Sequence, residues 1–366
     1  MPANKFTGKV VTVLGPIEPG KLGVTLSDDH PLNDLTIFRG PPLEASAREI
    51  YFADISPEIL AYARHYGFRN ALNIRVGDMD TAISEVARFK EWGGNSIATG
   101  SNIGLGRDPV GLARLSRATG VNIVMGGSFY AVRSHPADMD SMSEEALRDR
   151  MVRDIMEGVD GTQVHSGFMG EVGCTTPTAE NELKVLRASG RAQKLTGAPM
   201  MIHPGESDTA PLEHIDLLQK LGVNMDKFII AHVSTRSRDT IKRIAQSGCY
   251  LQWDGFGGGS GGKSPYTLTY RGTNENPLRH LASGAPSDDG LLDQIAWMTD
   301  EGYGDRLLVA SDVNTKSRLF KYGGQGYFYV LANTVPTMKA RGWTDADVNR
   351  LLVDNPRNAF TFASPA

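Results

Sequence analysis

Two short runs decide the fold: Pro199-Met200-Met201-Ile202-His203 and Phe228-Ile229-Ile230-Ala231-His232. Each is an apolar burst too short for a helix, each ends on an imidazole, and the segment between them has helical period. A continuous apolar run is the mark of a strand buried on both faces, as in a parallel sheet covered by crossover helices. Working outward, runs of the same kind recur at Ser96–Thr99, Asn122–Met125, His165–Val172, Tyr250–Asp254 and Leu307–Asp312, with an earlier one at Val24–His30. Eight such strands separated by helical segments predict an α/β fold, a (β/α)8 TIM barrel. With no repeat and no linker, residues 1–366 read as a single domain.

Three regions exceed the bare barrel. Residues 8–23 read as an N-terminal β-hairpin, and residues 31–78 as a long insertion after strand one containing Gly40-Pro41-Pro42. The connections after strands seven and eight are also long, the former Gly-rich from Gly255 to Pro277. Several helix boundaries are legible. Asp80 is expected to open a helix carrying Met79, Ile83, Val86 and Phe89, with Gly93 closing it. Ser143 precedes Leu147, Met151 and Ile155 on one face, and Thr344 with Asp347 forms a capping box.

Composition narrows the function classes. The 366 residues are 40% apolar and 22% charged, ordinary for a globular enzyme, and a net charge of −4 leaves no basic footprint for nucleic acid. No apolar run reaches the roughly 20 residues a membrane span needs. Two cysteines, Cys174 and Cys249, are too few for a disulfide framework, and Met1–Val11 has no signal-peptide core, so a cytoplasmic setting is expected.

The chemistry lies where polar residues end apolar strands. His203, His232, Asp312 and Glu171 all fall at or near strand ends, where barrel enzymes build their sites. Asp28 and His30 close the first strand at i, i+2 spacing and so share one face. One strand-end histidine is most simply a satisfied structural residue, but five strand ends converging this way suit a dication site of imidazole and carboxylate. Phe129-Tyr130 after strand three and Trp253-Asp254 at strand seven are candidates to line a substrate pocket, with core packing the competing reading.

At this point the chain resembles the phosphotriesterase-related proteins of the amidohydrolase superfamily, in particular the phosphotriesterase homology and resiniferatoxin-binding-like branch. The resemblance is carried by Gly23–Leu26, Gly104–Pro109, Gly167–Gly173, Thr196–His203, Ala231-His232, Ser311-Asp312 and Asn355-Pro356, in that order along nearly the whole chain. It implies a binuclear centre with Asp28, His30, Glu171, His203, His232 and Asp312 as ligands, zinc as the usual metal, and Asp312 as the proton-transferring group. It also implies a homodimer. Many members bridge their metals with a carboxylated lysine; the matching position here is Gly170, leaving Glu171 as the bridge.

One departure stands out. The family's first strand ends His-x-His, where this chain has Asp28-Asp29-His30. With Asp28, Glu171 and Asp312 all ionised, three protein charges plus a bridging hydroxide would balance two dications completely, so a less acidified water and a shift toward a harder ion such as manganese are expected. The resemblance implies hydrolysis of a small-molecule lactone or carboxylic ester first, an amide second and a phosphotriester weakly. The rival is a non-catalytic small-molecule-binding barrel whose metal site Asp28 has degraded. Specificity is expected from the long insertion and from loops carrying Lys316, Arg318 and Tyr322.

Other motifs carry less. Gly257–Ser264 matches the P-loop pattern, but Pro265–Tyr270 beyond it cannot open the helix a phosphate site needs, so the stretch reads as a lid. Asp108-Pro109 is ordinary helix initiation, and His135 and His165 are expected to be structural.

Overall fold

In the computed structural model the described residues are 4–39, 45–65, 67–258 and 286–366. Gly40-Pro41-Pro42, and the Gly-rich loop and P-loop-like string beyond Gly258, lie outside them. Eight parallel strands form one sheet in chain order: β1 (Thr25–Leu26), β2 (Ser96–Thr99), β3 (Asn122–Gly127), β4 (Phe168–Gly173), β5 (Met200–His203), β6 (Phe228–Ile230), β7 (Tyr250–Trp253) and β8 (Leu307–Val309). Beyond the ladder, Ser27 N donates to Val309 O (3.3 Å) and His30 N to Val313 O (3.0 Å), so β8 meets β1 and the sheet closes into a TIM barrel. The expected strands were all found. Those at β1, β6 and β8 are shorter than expected because the polar ends of those runs leave the ladder to form the site, whereas β4 starts later, at Phe168, and keeps Glu171 within it.

The helices that follow the strands are α1 (Met79–Glu91), α2 (Pro109–Thr119), α3 (Glu144–Met156), α4 (Glu180–Thr196), α5 (Ala210–Lys220), α6 (Arg238–Gln246), α7 (Asp288–Met298) and α8 (Val335–Ala340). Ser143, Asp108 and the Thr344/Asp347 box cap as their residue types require. The cap of α1 is Asp78, not Asp80: the Asp78 carboxylate accepts from Thr81 N, and Asp80 sits inside the first turn. Either aspartate satisfies the local rule, and only the path of the incoming chain decides between them.

Two apolar layers build the core. Ala98, Val124, Phe168, Met201, Ile229 and Leu308 are fully buried together inside the barrel. The opposite faces of the strands pack under the helices through residues such as Ile97, Ile123, Met200, Ile230 and Leu251. The hairpin is present as Val10–Thr12 paired antiparallel with Gly15–Ile17. It closes the N-terminal end of the barrel: Val10 joins the interior cluster, and Val13 N donates to Ile123 O (2.9 Å). The insertion after β1 holds a small strand pair, Asn33–Asp34 with Arg75–Val76, and a helix at Pro57–His65. Among the described residues, no helix is long and apolar enough to cross a membrane.

Candidate metal centre

Five of the six expected ligands, His30, Glu171, His203, His232 and Asp312, line one cavity of about 1000 Å³ at the C-terminal mouth, and Asp28 is buried behind them. Three cavity residues, Glu171, His203 and His232, form one cluster of possible metal ligands. Asp28, His30 and Asp312 form a second, Asp28, His232 and Asp254 a third, and in each the ligand atoms lie within 4.8 Å of one another. Glu171 faces both imidazoles of its cluster, its Oε1 lying 2.9 Å from His232 Nε2 and 3.5 Å from His203 Nδ1. Across the site His30 Nε2 lies 3.5 Å from Asp28 Oδ1 and 3.4 Å from Asp312 Oδ1.

Local backbone explains why these side chains point inward. The β4–β5 register slips between Met169 and Val172, a bulge that re-aims the residue it carries, here Glu171. A side chain at Gly170 would meet Met201 O at 2.7 Å, so a lysine does not fit there. A Cβ at Gly100 would lie 3.0 Å from the Glu171 Cβ and 3.5 Å from Asp28 Oδ1, which keeps that wall open for both carboxylates. His232 and Asp312 turn off their strands in the left-handed region, at φ 56° and 50°.

Electrostatics divides the site. Both oxygens of Asp28 are buried and take no hydrogen bond from a described residue. Burial lifts the Asp28 carboxyl well above its ordinary range, and the charges of Glu171 and Asp312 lift it further. Burial also opposes charge on Glu171, but His232 and His203 outweigh it and hold that carboxyl below the usual range. Burial opposes charge on the His232 ring as well, yet Asp254 and Glu171 raise it well above its ordinary value. An orphaned buried carboxylate beside imidazoles is the chemistry of a dication site, so the residues fit a bound metal.

The residues behind the ligands were mostly not read from sequence. His30 Nδ1 lies 2.9 Å from Ser101 Oγ, which leaves Nε2 to face the site. Asp254 lies on the cavity wall as expected, but its Oδ2 is taken by His232, 2.8 Å from Nδ1 and accepting from the backbone N at 2.9 Å. It is an orienting carboxylate for that imidazole. Asn314 Nδ2 donates to Asp312 Oδ1 at 3.0 Å.

The expected pocket aromatics split. Tyr130 lines the cavity, its hydroxyl 3.2 Å from His203 Nδ1. Phe129 and Trp253 do not line it. Phe129 packs in the outer core edge-on to His135, and Trp253 turns its Nε1 to Gln294 of α7 at 2.8 Å. A residue next to a strand end can face either layer, and these two face the helices. Of the three loop residues expected to set specificity, Arg318 lines the cavity while Lys316 and Tyr322 do not. His135 and His165 bond to the carbonyls of Tyr130 and Ile155, as structural residues do.

The sequence profile of the phosphotriesterase family matches residues 8–360. The chain belongs to that family. Among family relatives it is 35% identical to a phosphotriesterase-related protein of Nematostella vectensis, over 97% of this chain and 99% of that one. It is likewise 35% identical to the N-acetyltaurine hydrolase of Homo sapiens, over 98% and 99% of the two chains. The crystal structure of a resiniferatoxin-binding protein from Rhodobacter sphaeroides superposes with a TM-score of 0.89 at 34% identity, covering 98% of this chain and 97% of that one. This phosphotriesterase-family chain is therefore a hydrolase by descent, with three overlapping clusters of metal-capable residues at its mouth.

Proposed function

We propose that the protein hydrolyses a small N-acyl amide with the aid of two divalent ions, one held by Glu171, His203 and His232 and the other by Asp28, His30 and Asp312. The observation that carries this reading is the unpartnered buried oxygens of Asp28 and Glu171, each beside imidazole nitrogens that could hold a divalent ion. Bound there, dications polarise a carbonyl oxygen and lower the pKa of attacking water. The chain supplies the rest. Asp28 and Glu171 have 0% and 3% exposed side chains, whereas Asp312 is 21% exposed and lines the cavity. Asp312 is thus the carboxylate able to take a proton from the nucleophile and return it to the departing nitrogen. The Tyr130 hydroxyl sits at the wall to orient the acyl group.

Amide hydrolysis moves ahead of the lactone or ester expected from sequence, because full-length similarity to the N-acetyltaurine hydrolases supports it. Zinc is the first metal to test, and manganese the second on account of Asp28. A non-catalytic binding barrel is the second reading, and it draws on Asp28 and on what the Rhodobacter sphaeroides relative is called.

The test is metal content by elemental analysis followed by acetate release from N-acetyltaurine, measured by proton NMR. A γ-lactone, an aryl acetate and an aryl phosphotriester run alongside. Close to two ions per chain with N-acetyltaurine favoured in kcat/KM supports the proposal. A favoured lactone restores the ester reading, and neither metal nor turnover leaves the binding barrel.

A further inference from the structure

Asp312 stands in left-handed backbone, at φ 50°. A non-glycine residue there is strained and persists only when its surroundings hold it. The surroundings are specific. The Asp29 carboxylate, fully buried, accepts from Ser311 N (3.3 Å) and Val313 N (2.8 Å), the amides on either side of Asp312. Asp312 N itself donates to Asp28 O at 3.1 Å. From the other side the Arg318 guanidinium donates through Nη2 to Ser311 O and through Nη1 to Asp312 O. With the Gln325 amide turned to suit, its oxygen accepts from Arg318 Nε (2.9 Å) and Nη2 (3.0 Å). Four of the five N–H groups of Arg318 are thereby committed to the protein.

The segment that delivers Arg318 is itself pinned. Just before it, Lys316 N donates to Asn73 O (2.8 Å) and Ser317 N to Asn73 Oδ1 (2.7 Å), Asn73 being fully buried in the insertion after β1. Just after it, the buried Glu85 carboxylate accepts from Phe320 N (2.9 Å) and Lys321 N (2.8 Å). Glu85 belongs to α1, so two separate elements fix the arginine's place.

We propose that Asp29 and Arg318 are a pair of positioning residues that set the Asp312 carboxylate by gripping the backbone around it from opposite sides, one taking the N–H groups of Ser311 and Val313 and the other the carbonyls of Ser311 and Asp312. Arg318 lines the cavity, yet it serves the aspartate and not the substrate. The proposal rests on the hydrolase reading only for its kinetic consequences.

The experiment compares wild type with Arg318→Lys, Arg318→Met and Asp29→Asn. Zinc affinity is read by competition with a chromophoric chelator, and kcat and KM are read on N-acetyltaurine. In Arg318→Met we expect kcat and zinc affinity each to fall about 10- to 100-fold, the effect of losing a residue behind a ligand, with KM little changed. Arg318→Lys should fall between the two, and Asp29→Asn should resemble Arg318→Met. A rise in KM with kcat and zinc affinity intact would make Arg318 a substrate-binding residue and overturn the proposal. Unchanged kcat and affinity would also overturn it. Should Arg318→Met not fold, Arg318→Lys and Asp29→Asn decide by the same criteria. Should wild type neither bind zinc nor turn over, the hydrolase reading fails separately, and a crystal structure of Asp29→Asn decides the clamp. A carboxylate of Asp312 displaced by about 1 Å or more supports it, and an unmoved one overturns it.

Discussion

The two halves of the site solve the same problem differently. At the ends of β4, β5, β6 and β7 each carboxylate faces an imidazole: Glu171 lies against His203 and His232, and Asp254 against His232. At the ends of β1 and β8 the backbone is tightly held, but neither oxygen of Asp28 takes a hydrogen bond from a described residue, and His30 at 3.5 Å and the nearby His232 offset its charge only in part. One half is the better offset by its own side chains, while the other holds a buried carboxylate that nothing pairs closely. Both halves should bear on the reaction, and the second should dominate how stability responds to pH and to metal.

The largest effect should come from the shared carboxylate. Glu171→Gln leaves His232 and His203 without their anion, a loss of about 3–5 kcal/mol for a broken buried pair. It should lower kcat about 10³-fold and reduce metal content in elemental analysis. If Glu171→Gln keeps both, the two halves are not joined through Glu171.

The next effect separates the halves by pH. Asp28 and Asp29 have carboxyls raised by burial, Asp29 to about 7, so the folded chain binds protons there that the unfolded chain has released. Unfolding then releases protons between the ordinary aspartate range and the raised value, and stability falls as pH rises through that window. The raised His232 ring acts in the same direction, its contribution being lost as pH climbs through its raised value. Chelator-treated protein should lose about 1–3 kcal/mol between pH 5 and pH 8, read as a falling Tm, and metal should remove the part of the slope that Asp28 and His232 contribute. Asp28→Asn should flatten it without metal. A Tm that rises with pH would contradict the assignment of Asp28.

Two smaller effects sharpen the contrast. Asp28→His removes the extra anion, so the acid limb of the pH–rate profile should move down by about one unit and zinc should bind more tightly. An unchanged profile and affinity would end the charge argument. Tyr130→Phe removes a hydroxyl at the cavity wall and should alter kcat/KM about tenfold or less, with Tm nearly unchanged. A larger loss of Tm would make Tyr130 a structural partner of His203.

What could be read from sequence follows the same division. The strands were legible because strands buried on both faces leave unbroken apolar runs, and the ligands because they interrupt those runs at their ends. Asp29 was passed over because alternation turns it away from Asp28 and His30. The rule that could have found it is that a carboxylate at a buried outward position must accept hydrogen bonds. Arg318 belongs to a loop without periodicity, so its partnership with the peptide at Asp312 has no local signature. Phe129 and Trp253 were misplaced because neighbours at a strand end face opposite layers, and half a residue of twist exchanges them.

The hairpin under the barrel bears on how such a protein can change over time. Val10 fills the interior and Val13 pairs with Ile123, so sealing the core is assigned to the end remote from the chemistry. Segments at the mouth then carry little of the burden of keeping the barrel shut. A duplicate gene could lengthen or exchange the cavity-lining loops and try new substrates while the eight strands stayed folded, but the short stretch from Lys316 to Gln325 would have to be inherited intact.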